Sequence, residues 1–423
     1  MSFTLSNFHY YLSLLFYKYI SKYESHILKG INLISFENIN SKNIEAVFSR
    51  FDKSVENQFY KGIFNHLDFL ISENELKEIS NQINELNLIS KNDFQNEFEE
   101  ALKRVSLDFS RNYSHNFSNT EINNLIFSII KSEQGQFQRI YDPALGYGGF
   151  LLKSDQELKV KEFYGDELNL ACANVSKMRM IINGVNEKRL NIRNVDSIID
   201  IEYESGKFDL IVSEPPFLQK AKLSDEVYDI KAFSLFQDEF KSVLSEYSFI
   251  LKSLNLLSLN GIMVVFLPSS ILFKESGKNM REALIEKGNF LDVVISIPEK
   301  VLTHTHIETS IMIFRRNRKA NDPIFFMNIE NFFSKVSRYN SISDEAISEV
   351  VEIFSNRKNI DKISRTVDPK EIKENDFNLN ISRYIQSFEV RARKTTIDLI
   401  AENEKLTQEL EELNIKMKQL LTK

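Results

Sequence analysis

Apolar side chains recur at positions 8, 12, 15, 16, 19, 20, 23 and 27, the spacing of one face of a helix, and Gly30 follows where a C-terminal cap belongs. Segments 59–70, 75–86 and 93–105 repeat this spacing with no alternating run between them, so residues 1–108 read as an all-helical N-terminal domain. Beyond Ser110 the pattern changes. Short apolar runs at 139–142, 162–165, 189–193, 208–212, 261–267, 291–297 and 309–314 alternate with helix-length segments, notably 168–183, 235–259 and 277–287. That alternation predicts an α/β domain over 109–330: a mostly parallel sheet with helices on both faces and ligands beyond the carboxyl ends of its strands. Residues 331–390 are read as a C-terminal extension. In the tail, Leu399, Leu406, Leu410, Leu413, Met417 and Leu420 alternate spacings of three and four, with Thr396 and Asn403 at polar seam positions. A long helix over 391–423 is expected, either contacting a partner or folded back on its own domain.

Length and composition narrow the function classes. A chain of 423 residues exceeds one compact core, so two or three units are expected. The net charge of −7 argues against binding polyanions through overall charge, so sequence-specific DNA recognition without a partner is not expected. A basic turn at Arg315, Arg316, Arg318 and Lys319 is read as solvent-exposed in preference to a phosphate contact. The lone Cys172 excludes a disulfide framework, and six scattered histidines form no metal pattern. The most apolar N-terminal stretch, 12–20, is interrupted by Ser13 and Lys18 and falls short of the roughly 20 residues of a membrane span. A soluble, cytoplasmic protein with no membrane partner is the expectation.

Four constellations carry candidate chemistry. The first, Asp142-Pro-Ala-Leu-Gly146-Tyr-Gly148-Gly149-Phe-Leu, follows a predicted strand; its glycines permit close backbone approach to a ligand, and its acid can accept from an amine or hydroxyl. Alone it is an ordinary strand-to-helix turn. About 20 residues on, Glu167 in Tyr164-Gly165-Asp166-Glu167-Leu168-Asn169 ends the next strand, a spacing suited to the two hydroxyls of a ribose, although an acid there also suits the start of a helix. Asp196 ends the strand after that and is placed to meet an adenine amino group. Three acids at successive strand ends after one glycine turn describe an adenosine-shaped pocket. The run is Gly-x-Gly-Gly, and no Lys-Ser or Lys-Thr follows to hold a phosphate, so S-adenosylmethionine fits better than a dinucleotide. The fourth constellation, Asp209-Leu-Ile-Val-Ser213-Glu214-Pro215-Pro216-Phe217, ends an apolar strand in a polar residue, two prolines and an aromatic. Paired prolines leave a backbone carbonyl without competing donors, and Phe217 offers a face on which an extruded base can stack.

Together these residues resemble amino-methyltransferases of the N6-adenine type, and more narrowly the modification subunit of type I restriction-modification systems. The family's Asp-Pro-x-x-Gly-x-Gly-Gly-Phe-Leu loop is matched by 142–151, its acid strand by 164–169 and its following Asn-Gly-Val-Asn by 183–186. Segments 267–273, 291–298 and 309–316 resemble its later strands, and 16–21 and 378–384 resemble segments outside the sheet. The resemblance implies a Rossmann-like S-adenosylmethionine-dependent methyltransferase sheet with an all-helical N-terminal domain and a C-terminal helical tail. It places Phe117, Ser118, Asp142, Ala144, Gly146, Gly148, Gly149, Glu167, Leu168, Asp196 and Ser197 around the cofactor, and Glu214, Pro215, Pro216 and Phe217 around the target adenine. It further implies as partners DNA, a DNA-specificity subunit, a restriction (motor and nuclease) subunit and a second copy of the chain.

Two departures accompany it. The residue before Pro-Pro is Glu214 where the family has Asn, or less often Asp or Ser. At 115–122 the usual Phe-x-Thr-Pro-like string lacks its proline. Two other readings stay open on the sequence: a catalytically impaired scaffold or sensor that keeps the fold, and a methyltransferase of protein glutamine or RNA.

Overall fold

The computed structural model describes residues 5–24, 33–108, 120–200, 202–216, 245–301, 307–336 and 339–385. The helical tail expected over 391–423 lies outside the described residues. No helix among them is long and apolar enough to cross a membrane.

The first unit contains α1 (Leu5–Tyr23), α2 (Ile44–Ser54), α3 (Glu73–Glu85) and α4 (Lys91–Asp108). Helix α1 departs from the amphipathic expectation: besides Leu12, Phe16 and Tyr19, the opposite-facing Tyr10, Tyr11, Leu14 and Tyr17 are buried. A helix apolar all round belongs at the centre, and α1 packs against α3, α4 and a helix of the sheet domain. Its tyrosine hydroxyls stay satisfied there, donating to Asp68, Glu97 and the carbonyl of Ile34. The helix expected at 59–70 is instead a short 3-10 turn at Gln58–Tyr60 and further turns, with Gly62 at φ 69°. Conversely, α2 had no place in the sequence reading.

The second unit is built on a nine-stranded sheet. Its strands are β1 (Gln136–Asp142), β2 (Lys159–Asp166), β3 (Leu190–Arg193), β4 (Phe208–Ser213), β5 (Leu257–Pro268), β6 (Leu291–Ile297), β7 (Thr309–Arg315), β8 (Ile324–Asn328) and β11 (Ser364–Val367); β9 (Phe333–Val336) and β10 (Tyr339–Ile342) form a separate hairpin. The order is β11-β8-β6-β7-β5-β4-β1-β2-β3, all parallel except β7 and β11. Alternation along the strands feeds two cores: in β5, Ile262, Val264 and Phe266 face the one shared with the N-terminal helices, while Met263, Val265 and Leu267 face the other. On the first face lie α5 (Thr120–Glu133), α6 (Gly149–Glu157) and α7 (Leu170–Ile182); on the second lie α8 (Ser245–Leu256) and α9 (Lys278–Glu282).

Differences from the sequence expectation have local causes. The helix read over 235–259 ends, in its described part, at Leu256, because Leu257 already pairs with Phe208 across a register shift in β5. Strands β8 and β11 extend the sheet beyond the last expected strand. The basic turn is not free: Arg315 and Arg318 bind buried Asp292, Arg357 joins them, and Arg316 donates to the carbonyl of Leu257. Asp292 is held below the usual carboxylate range, burial being outweighed by these guanidinium groups. Asp292→Ala is expected to cost about 3–5 kcal/mol, because it strands a buried Arg318, and urea unfolding measures this.

Two half-buried imidazoles lie where α1 meets the sheet domain. Burial holds His9 down to about 4 and His66 down to about 3, the latter helped by His9. Both values lie below the unfolded value near 6.5, so the unfolded chain takes up more protons once the pH falls under 6.5. Stability is therefore complete above that pH and declines below it, by on the order of 2 kcal/mol for the pair at pH 5 after allowing for residual solvent contact. Thermal unfolding of native and His66→Gln protein between pH 7 and 5 checks this: the variant should lose less.

Candidate active site

Strand order reverses at β1, which has β2 on one side and β4 on the other. Such a point opens a crevice beyond the carboxyl ends of both strands. Asp142 closes β1 there. It is 1% exposed; its Oδ1 accepts from the Ala144 N–H at 3.0 Å, whereas Oδ2 is buried with no hydrogen-bond partner. Burial pushes its carboxyl up to about 7, the nearby charges of Glu167 and Asp166 adding to this against the Ala144 amide and the Ser213 hydroxyl, which lies close by without closing a hydrogen bond to Oδ2.

The loop after Asp142 is fixed to β2. Leu145 donates its N–H to the carbonyl of Asp166, and a Cβ added at Gly165 would come within 2.8 Å of the Leu145 side chain, so only glycine lets loop and strand approach this closely. Gly148 caps α6 at φ 77°, with Ser176 of α7 3.1 Å from where a Cβ would stand. Glu167, just past β2, reaches back: one carboxylate oxygen accepts from the Gly146 N–H and the other from the Asn169 N–H, both at 2.8 Å. It is half-buried, and burial raises its carboxyl despite these donors. Asn194 donates to the carbonyls of Glu167 and Leu168, and Leu168 itself is 72% exposed.

Asp196 lies in the turn after β3, half-buried, one oxygen accepting from the Ile198 N–H at 3.0 Å. Its neighbour Ser197 donates to the carbonyl of Pro143 at 2.7 Å, tying this turn to the glycine loop. Because β4 crosses to the far side of β1, residues 211 and 141 pair, and Glu214-Pro215-Pro216 emerges beside Asp142. Glu214 is half-buried, and burial, then the charge of Asp142, pushes its carboxyl up to about 8. Asp142, Ala144, Gly146, Gly148, Gly149, Glu167, Leu168, Asp196, Ser197, Glu214, Pro215 and Pro216 thus stand on four neighbouring strand ends and the loops that follow them. Phe117, Ser118 and Phe217 lie outside the described residues.

Three side chains that shape this site escaped the sequence reading. Tyr147, inside the glycine loop, is turned into the N-terminal helices and 2% exposed. Arg179 of α7 donates to the Tyr147 carbonyl at 3.1 Å, and Ser213 sets a hydroxyl beside Asp142. Nothing in the spacing of apolar positions marks them.

The N-6 DNA methylase family matches residues 89–393, more than half of the chain. The chain belongs to the N-6 DNA methylase family. Within it, the type I restriction enzyme MpnII methylase subunit of Mycoplasma pneumoniae is 25% identical over 92% of this chain and 77% of that protein. The MjaVII methylase subunit of Methanocaldococcus jannaschii is 27% identical over 71% of this chain, which spans 53% of its length. Among solved structures, the type I restriction-modification methyltransferase subunit from Streptococcus thermophilus superposes with a TM-score of 0.73, covering 89% of this chain and 92% of that one at 22% identity. That likeness is one of fold: the mixed sheet and helical N-terminal unit are those of a type I methyltransferase subunit.

Proposed function

We propose that this N-6 DNA methylase is the modification subunit of a type I-like restriction-modification or related defence complex, transferring a methyl group from S-adenosylmethionine to N6 of an adenine turned out of duplex DNA. Asp142, Glu167 and Asp196, with the glycine loop, are the residues that would hold the cofactor. One observation supports the fit: Asp142 Oδ2 is buried at a strand tip without a partner, an acceptor left for a ligand's donor. When bound, S-adenosylmethionine supplies a methyl group on a positively charged sulfur.

The protein's share of the chemistry is acceptance and placement. The lone pair of adenine N6 is delocalised into the ring, and accepting both N–H bonds localises it. Glu214 and the Pro215 carbonyl are the proposed acceptors, and Phe217 the stacking face. With its carboxyl raised to about 8, Glu214 is mostly protonated at neutral pH. A neutral carboxylic acid presents a carbonyl oxygen as the amide of Asn does, so the departure from the family pattern preserves the acceptor and removes the charge that would be costly against a base.

A DNA-specificity subunit, a restriction subunit and a second copy of the chain are the proposed partners, DNA reading being delegated because the net charge is −7. The juxtaposition of Asp142 and the Glu214-Pro-Pro turn at the sheet's reversal point carries the reading. Labelled methyl transfer to duplex DNA by the chain with its specificity subunit, followed by nucleoside mass spectrometry, tests it. Label in N6-methyladenine is expected; label only in protein or RNA would overturn the proposal.

A further inference from the structure

The glycine loop is gripped from outside the sheet. Tyr147 stands between Gly146 and Gly148, yet its ring leaves the crevice and enters the helical unit, where the Phe8 ring meets it edge-on at 6.3 Å and His9 Nε2 lies 3.3 Å from its hydroxyl. His9 in turn packs edge-on against His66 at 5.7 Å. Around His66 sit Ser13 of α1, at 3.3 Å, and Asn174 of α7, which also donates to the Gly62 carbonyl at 2.9 Å. The backbone at the same residue is held separately: Arg179 donates to the Tyr147 carbonyl and forms a two-pronged ion pair with Glu99 of α4, at 2.8 and 2.5 Å. Asn183 adds a third bond to Glu99 at 3.1 Å.

One loop residue is thereby fastened by its side chain to α1 and by its carbonyl, through Arg179, to α4. Beside these contacts a cleft of about 350 Å³ opens among α4, α5 and α6, while the Tyr147 ring itself is packed into the core that the helical unit shares with the sheet. Gly146, whose N–H is bound by Glu167, is the immediate neighbour of Tyr147. Movement of α1 or α4 must therefore be felt at the backbone that Glu167 braces.

We propose that Tyr147 and Arg179 are positioning residues through which the N-terminal helices set the cofactor loop, so that cofactor binding and the seating of α1 and α4 are thermodynamically linked. The inference rests on the cofactor reading above and goes beyond it by making the helical unit part of the site. Linkage of this kind is reciprocal: whatever shifts α1, a nucleic acid or another subunit, changes cofactor affinity by the factor with which the cofactor changes its binding.

Hydrogen exchange on the full chain, with and without S-adenosylhomocysteine, tests this alongside calorimetry. In the native protein the ligand is expected to slow exchange in α1 and α4 as well as in 142–149. Tyr147→Phe removes the hydroxyl with its contacts to His9 and Cys172 but keeps the ring, and Glu99→Gln removes the charge that pins Arg179 but keeps one acceptor oxygen, so both should fold. Each is expected to weaken ligand affinity about fivefold or more and to abolish the ligand-dependent slowing in α1 or α4 respectively, with exchange of the ligand-free helices unchanged. Slowing confined to 142–149, 167 and 196 in the native chain, or native affinity in both variants, would overturn the inference while leaving the cofactor reading standing. Absence of any binding to the native chain would overturn both.

Discussion

Glu214→Ala is expected to lower the methyl-transfer rate by about a hundredfold to a thousandfold, the loss that follows removal of one well-placed polar partner in a closed site, while cofactor affinity stays native. Glu214→Gln is expected to retain activity, since an amide carbonyl replaces the carbonyl of the protonated acid. The pH dependence separates the two roles of the carboxyl. Its value, raised from 4.5 to about 8, means that the proton is present below pH 8 and lost above it. Native turnover should accordingly fall above pH 8, as the acceptor becomes a charge buried beside Asp142, and Glu214→Gln should show no such fall. Single-turnover rates between pH 6.5 and 9.5 measure this; a Glu214→Gln profile as steep as the native one would exclude Glu214 as the titrating group.

The second large effect belongs to Glu167. Its carboxylate braces the Gly146 and Asn169 amides, and in the proposed complex it also accepts from a ribose. Glu167→Ala removes acceptors for charge-assisted hydrogen bonds worth about 1.5–3 kcal/mol each, so S-adenosylmethionine should bind roughly a hundredfold more weakly or worse. Glu167→Gln, which keeps one acceptor oxygen, should lose about tenfold. Because the same side chain fixes the loop, Glu167→Ala should also speed hydrogen exchange at Gly146 in the ligand-free protein.

How much of this was visible in the sequence depends on whether a residue's partner is near in the chain. The seven core strands were legible because each is an apolar run bounded by polar or turn residues, and the three strand-end acids because a parallel sheet puts successive carboxyl ends on one edge. The insertion of antiparallel β7 between β5 and β6 was not legible, since register between distant strands leaves no local pattern. The segment 59–70 carries helical spacing, yet its residues are recruited one at a time: Phe64 stacks on Phe48 at 4.1 Å, and the Asn57 side chain takes the Phe59 N–H. Tertiary contacts there override periodicity.

At the site, sequence spacing pointed to acids at successive strand ends, where they stand, but not to how each is tuned. The raised carboxyl of Glu214 comes first from burial and then from Asp142, which stands beside it because β4 pairs with β1. Tyr147 illustrates the same limit. In the linear motif it stands between two glycines with no spacing to mark it, and only the three-dimensional path of α1 gives its ring something to hold. Arg315 and Arg318 show the reverse case, where a run of basic residues suggests exposure and a single buried acid, Asp292, consumes it.

The most direct measurement is a calorimetric titration of the full chain with S-adenosylmethionine, run in parallel on Glu167→Ala and Glu214→Ala. Binding at one site per chain is predicted for the native protein, with Glu167→Ala weakened roughly a hundredfold and Glu214→Ala unchanged. A native chain that takes up no ligand, or a site indifferent to the loss of Glu167, would contradict the account.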